Sequence, residues 1–212
     1  MALRLLGQLE ERGLVPDVIS YGAAMTACEK AKAPQQAKEL LGEMQVRGLV
    51  PNAIIYRAAI GACEKGLQWA LALDFLGAMR DQRLRQDVAV YNSAIRACEK
   101  CKQWESTLHL LHDMQDRAVR PQMTTYSSAI SACEKRRQWA WAFHLLEEMQ
   151  QANIQPRIFT YNAAISACAK GQQWTRALNL LDEQIDRSVT PDVITYNATI
   201  SACEKGHQWE RA

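Results

Sequence analysis

A tyrosine returns every 35 residues along this chain: Tyr21, Tyr56, Tyr91, Tyr126, Tyr161 and Tyr196. Seven positions after each stands a cysteine (Cys28, Cys63, Cys98, Cys133, Cys168, Cys203), and two further on a lysine (Lys30, Lys65, Lys100, Lys135, Lys170, Lys205). Five copies then reach a tryptophan (Trp69, Trp104, Trp139, Trp174, Trp209), where the first copy has Pro34. A fixed period between about 20 and 50 residues is the mark of a repeat array. Such an array grows by adding units, each packed on its neighbours, rather than by enlarging one core. The length of 212 residues therefore does not translate into one or two ordinary domains.

Two helices fit within each period. Beside Tyr56, the residues Ala59, Ile60 and Cys63 share an arc about 100° wide, the stripe that a helix buries. Arg57, Gly61 and Lys65 fall on the opposite side of the same wheel. Ala62 recurs as Ala27, Ala97, Ala132, Ala167 and Ala202, and a small side chain there lets a neighbouring helix come close. Trp69, Ala72, Leu73, Leu76 and Met79 follow helical spacing in a second segment. Turns close at Pro51, Pro121, Pro156 and Pro191, with Gln86 in the equivalent place; proline cannot continue a helix. No stretch alternates with period two, so the predicted fold class is all-α. The units read as 18–52, 53–87, 88–122, 123–157 and 158–192, followed by an incomplete unit over 193–212. Residues 1–17 match second-helix spacing through Ala2, Leu5, Leu6 and Leu9, before a turn from Gly13 to Pro16. Both ends thus fall inside a repeat, and the chain is expected to be a fragment of a longer array.

Charge is nearly balanced, at 25 basic against 23 acidic residues, so any polyanion partner must be argued from where the cations sit. No apolar run approaches the ~18 residues of a membrane-spanning helix. One cysteine per repeat does not suggest a disulfide framework, because equivalent helices in stacked repeats lie roughly 8–10 Å apart, beyond the ~7 Å Cα limit for a bridge. Buried free thiols in a reducing compartment are expected.

The stretch Tyr-Asn-Ala-Ala-Ile-Ser-Ala-Cys-Ala-Lys at 161–170, the Leu-Leu-x-Glu-Met run before a Pro-Asp or Pro-Asn turn, and the 35-residue step together resemble the pentatricopeptide repeat family, in its P-type form. The resemblance covers nearly the whole chain. It implies a right-handed superhelical solenoid of antiparallel helix pairs, with the first helices lining the inner face. It also implies binding of single-stranded RNA, one base per repeat, in mitochondria or chloroplasts, acting on RNA processing, stability or translation.

The resemblance assigns residues. Two variable polar columns match the family's base-selecting positions, pairing Gly22 with Asn52, Arg57 with Asp87, Asn92 with Gln122, Ser127 with Arg157 and Asn162 with Asp192; Asn197 continues the first column and Asp17 the second. The Asn162/Asp192 combination implies uracil, whereas Gly22 lacks a side chain and Arg57 and Arg157 depart from the family's combinations. Lys30, Lys65, Lys100, Lys135, Lys170 and Lys205 match its phosphate contact. The other reading of that column is a solvated lysine balanced by the glutamate just before it (Glu29, Glu64, Glu99, Glu134, Glu204). Ile19, Ile54, Ala89, Thr124, Phe159 and Ile194 match the position that sandwiches bases; the other reading is simple packing.

No catalytic constellation stands outside the repeat logic, and the zinc deaminase signature carried by some family members is absent from these residues. Cys98 and Cys101 with His109 and His112 lack the spacing of a zinc finger, so neither a metal nor a cofactor is expected. The recurring tryptophans read as core and inter-repeat packing, and Trp141 stands alone off their column. Single-stranded RNA is the partner this reading favours; a protein-binding helical scaffold is the alternative.

Overall fold

The computed structural model describes residues 6–8, 12 and 14–207. The helix expected over 1–17 therefore lies mostly outside the described residues, as does Trp209, although 6–8 are helical and Leu6 is buried. Helices alternate between first and second members of a pair: α1 Val18–Ala31, α2 Pro34–Val46, α3 Ala53–Gly66, α4 Trp69–Asp81, α5 Val88–Lys100, α6 Trp104–Asp116, α7 Met123–Lys135, α8 Trp139–Gln151, α9 Ile158–Lys170, α10 Trp174–Asp186 and α11 Val193–Lys205. There is no strand among the described residues, and the fold is all-α.

Local chemistry sets the helix limits. Four first helices open on an acid or amide whose side chain accepts a backbone N–H: Asp17 from Ser20 at 2.8 Å, Asn52 from Ile54 and Ile55 at 3.1 Å, Asp87 from Val90 at 3.0 Å and Asp192 from Thr195 at 2.8 Å. These are N-caps, worth about 1 kcal/mol each. Second helices start without a side-chain cap, behind Ala33, Gln68, Gln103, Gln138 and Gln173. Pro34 takes the tryptophan position without penalty because it is the first residue of α2, where no intrahelical N–H bond is needed.

The chain divides into two compact units, Met1–Cys101 and Lys102–Ala212. In the first, α1, α3 and α5 stack on one another while α2 and α4 pack behind them. In the second, α7, α9 and α11 form the first-helix stack and α8 and α10 pack behind, with α6 against α7. The core of this second unit lies between the two layers, built on Tyr126, Ile130, Leu145, Met149, Tyr161 and Ile165. Fully burying a side chain of this size contributes about 1.5–3 kcal/mol.

The buried tyrosines of the first five repeats tie the two layers. Tyr126 donates its hydroxyl to Glu148 and Tyr161 to Glu183, both at 2.9 Å, and Tyr21 reaches Glu43 at 3.4 Å. Where that acid is replaced by Ala78, the Gln82 amide donates to Tyr56 instead, at 2.9 Å. Tyr91 uses the buried Gln86, which accepts its hydroxyl at 2.9 Å and donates to the Leu76 carbonyl at 2.9 Å. The residue that breaks the proline column thus ties the tyrosine of the following repeat to the second helix of its own.

Candidate nucleic-acid interface

The stripe expected from the wheel is narrower than the surface each first helix buries. In α3, Ala58, Gly61, Ala62 and Glu64 are buried along with Tyr56, Ala59, Ile60 and Cys63. A first helix inside the stack is flanked on both sides by other first helices, so only one narrow strip faces outward. Gly61, expected on the polar side, is buried because the Glu29 side chain lies across it; a Cβ there would meet Glu29 Cδ at 2.9 Å.

The base-selecting columns behave unevenly. Arg57 and Asn197 are exposed, Gly22 and Asn162 half-buried, and Asn92 and Ser127 buried. The Asn162 amide donates to Asp192 Oδ1 at 3.2 Å, so this pair is in contact across a repeat boundary. The Thr195 hydroxyl joins them, at 2.6 Å from Asn162 Oδ1. The backbone N–H of Thr195 foremost, and then its hydroxyl and Asn162, hold the Asp192 carboxyl below its ordinary value despite opposing desolvation. Ser127 instead shares a 2.8 Å hydrogen bond with the Thr160 hydroxyl. The second column (Asp17, Asn52, Asp87, Gln122, Arg157, Asp192) occupies the N-cap of every first helix. This capping duty is absent from the sequence reading, yet an acid or amide just before a first apolar helical residue signals it.

The column expected to flank bases is open to solvent. Ile19 is 80% exposed, Ile54 60%, Phe159 61% and Ile194 63%, and Ala89 and Thr124 are exposed too. Simple packing does not describe these side chains.

The lysines differ from the balanced-neighbour reading. Lys65 Nζ lies 2.7 Å from Glu29 Oε1 and Lys100 Nζ lies 3.1 Å from Glu64 Oε1, and Lys170 pairs with Glu134. Each partner belongs to the preceding repeat, not to the residue before the lysine. The reason is helical geometry: adjacent residues point about 100° apart, whereas stacked helices bring one repeat's glutamate beside the next repeat's lysine. Burial pushes the Glu64 carboxyl up, but hydrogen bonds from Arg96 and Lys100 outweigh it and leave it below the ordinary value. Lys30, Lys100, Lys170 and Lys205 are exposed and Lys135 is half-buried.

The cysteine column is buried, and desolvation pushes Cys63, Cys98 and Cys133 up to about 12 and Cys168 to about 11. Those thiols are neither nucleophiles nor ready metal ligands. The Cys101 thiol donates to the Leu67 carbonyl at 3.3 Å. Among the described residues, no three His, Cys, Asp or Glu side chains are grouped to hold a metal ion, and no helix is long and apolar enough to cross a membrane. On the second-helix side, Trp141 packs at 6.5 Å from Trp104 and edge-on at 5.9 Å from His144, lining a groove of about 410 Å³ with His109 and His112.

Comparison with known families and structures fits this arrangement. The model for the pentatricopeptide repeat domain matches residues 4–65 and 144–205, and that for the pentacotripeptide-repeat region of PRORP matches 52–167. The chain is similar in structure to the pentatricopeptide repeat protein PPR10 from maize, at 21% identity and a TM-score of 0.58 over 97% of this chain. With PPR10 in complex with an 18-nt psaJ RNA element the TM-score is 0.68, at 19% identity over 99% of this chain. The PPR domain of Arabidopsis thaliana protein-only RNase P 1 in complex with tRNA gives 0.71 at 13% identity, covering 90% of this chain and 96% of that one. The chain spans about a third of the length of PPR10, 34–36% in these two structures. No curated protein sequence matches it.

Proposed function

Because this chain belongs to the pentatricopeptide repeat family, we propose that the exposed strip of its first helices binds single-stranded RNA. The observation that carries this is the open apolar column. Isoleucines and a phenylalanine that are 60–80% exposed stand one helical turn or less from the N-cap polar column and share their helices with the lysines. An apolar side chain left in water beside selectable polar groups suits a flat base, which can stack on it while its edge is hydrogen-bonded. In this reading Ile19, Ile54, Ala89, Thr124, Phe159 and Ile194 flank bases. Asn162 and Asp192, already aligned, form the best-defined reading pair, with uracil as its base. Lys30, Lys65, Lys100, Lys135, Lys170 and Lys205 meet the phosphates. RNA held extended is denied to nucleases and to its own hairpins, and we place this activity in the RNA processing, stabilisation or translation of a chloroplast or mitochondrion. The segment acts by binding and not by catalysis.

A protein partner is the second reading, and the Trp141 groove on the opposite layer is what favours it. The two separate cleanly in one experiment, binding of a labelled single-stranded oligoribonucleotide against a duplex control across a salt series. Five or six engaged lysines give a slope of log affinity against log salt of about −3 to −4. Replacing Lys65, Lys100 and Lys135 by Ala lowers that slope. Absence of binding at low salt would sink the RNA reading and leave the scaffold.

A further inference from the structure

At three repeat boundaries a glutamate of one first helix pairs with the lysine of the next, and at the last boundary that glutamate is absent. Glu29, Glu64 and Glu134 each accept from the lysine of the following repeat, namely Lys65, Lys100 and Lys170. Each carboxylate is seated on the next first helix. The bare Gly61 leaves room for Glu29, Arg96 donates to Glu64 at 3.0 Å, and the Ser166 hydroxyl donates to Glu134 at 2.8 Å. At the last boundary the glutamate is replaced by Ala169, while Ser201 keeps the position of Ser166 and Lys205 that of Lys170. The seat is repeated there but the acid is not, and Lys205 is exposed.

We propose that the glutamate column is a built-in competitor for RNA phosphate, and that Lys205, opposite Ala169, is a phosphate contact free of it. This rests on the RNA-binding reading above. A lysine that already holds a carboxylate must exchange it for phosphate. A half-exposed ion pair resists that exchange by up to about fivefold in affinity, a modest toll that accumulates along the strand. Lys205 faces Ala169 where the other lysines face a glutamate, so it binds phosphate without that toll.

Two measurements on the whole chain test this. Lysine acetylation, read by mass spectrometry without RNA, reports pairing directly: Lys205 reacts faster than Lys65 and Lys170, Ala169→Glu slows it to their rate, and Glu134→Ala speeds Lys170. Equal rates for Lys205 and Lys170 in the unaltered chain would overturn the pairing whatever RNA does. Anisotropy with a fluorescent single-stranded oligoribonucleotide at low salt reports the consequence. Ala169→Glu weakens binding about three- to fivefold and Glu134→Ala strengthens it by a similar factor; Lys205→Ala costs more than Lys170→Ala. Thermal melts establish that each variant folds, and Glu134→Ala decides the matter should the buried Ala169 site reject a larger residue. Binding with both glutamate variants unchanged would overturn the competitor role alone. No binding by the unaltered chain would overturn the RNA reading and the competitor role with it.

Discussion

Gln184 occupies the place held by Met44, Met79, Met114 and Met149, fully buried, with neither its amide nitrogen nor its oxygen hydrogen-bonded. A buried amide without partners costs on the order of 1–3 kcal/mol. Gln184→Met restores the column at similar volume, so it should raise the unfolding free energy by about that amount in a urea titration; an unchanged or lowered midpoint would show that the amide is satisfied after all. The buried thiols set a second expectation. Their folded pKa lies near 11–12 against an ordinary 9.0, so the unfolded chain loses thiol protons first as pH rises. Their contribution to stability is complete below pH 9 and is lost between about 9 and 12, at up to about 1.4 kcal/mol per pH unit for each thiol. Cys133→Ala should flatten that decline in alkaline melts, and an identical pH profile would show that other groups cause it. At this scale the sequence was legible by column: the tyrosine, cysteine and tryptophan phases follow from period alone. The partners of single residues were not. That Gln82 and Gln86 replace a missing or shortened acid depends on which hydroxyl lies within 3 Å, a distance no spacing rule contains.

Helices were legible because their apolar period is strong and each repetition confirms the others. What joins helices was less so, since a first helix buries flanks as well as a stripe and its polar side is partly enclosed. Gly61 is one case and Gly171 another. A Cβ on Gly171 would clash with Trp139 Cδ1 and Cγ, and one on Gly206 with the same atoms of Trp174. The ends of α9 and α11 therefore sit against the tryptophan that starts the previous second helix, and the Trp139 ring is also covered by the Arg176 guanidinium at 4.6 Å. Trp139 cannot retreat without giving up that contact. Gly171→Ala should accordingly cost about 1–3 kcal/mol through overpacking, measured by chemical denaturation; a change below about 0.5 kcal/mol would mean that the indole moves freely. The same element explains a limit of the sequence reading. The N-cap column was visible as variable and polar, the signature of a reader, but its capping role competes for the same oxygens, so a base bound at Asp192 must share a carboxylate that already accepts from Thr195.

For the molecule as a whole, the balance of 25 cations and 23 anions looked uninformative until the cross-repeat pairs showed where the two signs meet. Charges of opposite sign meet across repeat boundaries, which restrains indiscriminate attraction to polyanions; in the proposed RNA-binding role, shape and base contacts are then left to choose the strand. In an array each repeat is stabilised mainly by its neighbours, so a ligand lying over several repeats stabilises their interfaces together. RNA that binds the folded chain and not the unfolded one adds about 2.7 kcal/mol at a hundredfold excess over its Kd. Thermal melts with single-stranded RNA should therefore shift upward by several degrees, with a rise that grows with oligonucleotide length until the strand exceeds the repeats available. Duplex RNA at equal nucleotide concentration should shift the melt far less, because its bases are stacked away from Ile54, Phe159 and Ile194. Equal shifts from both would mean that phosphate charge alone is recognised, and the exposed apolar column would then need another occupant.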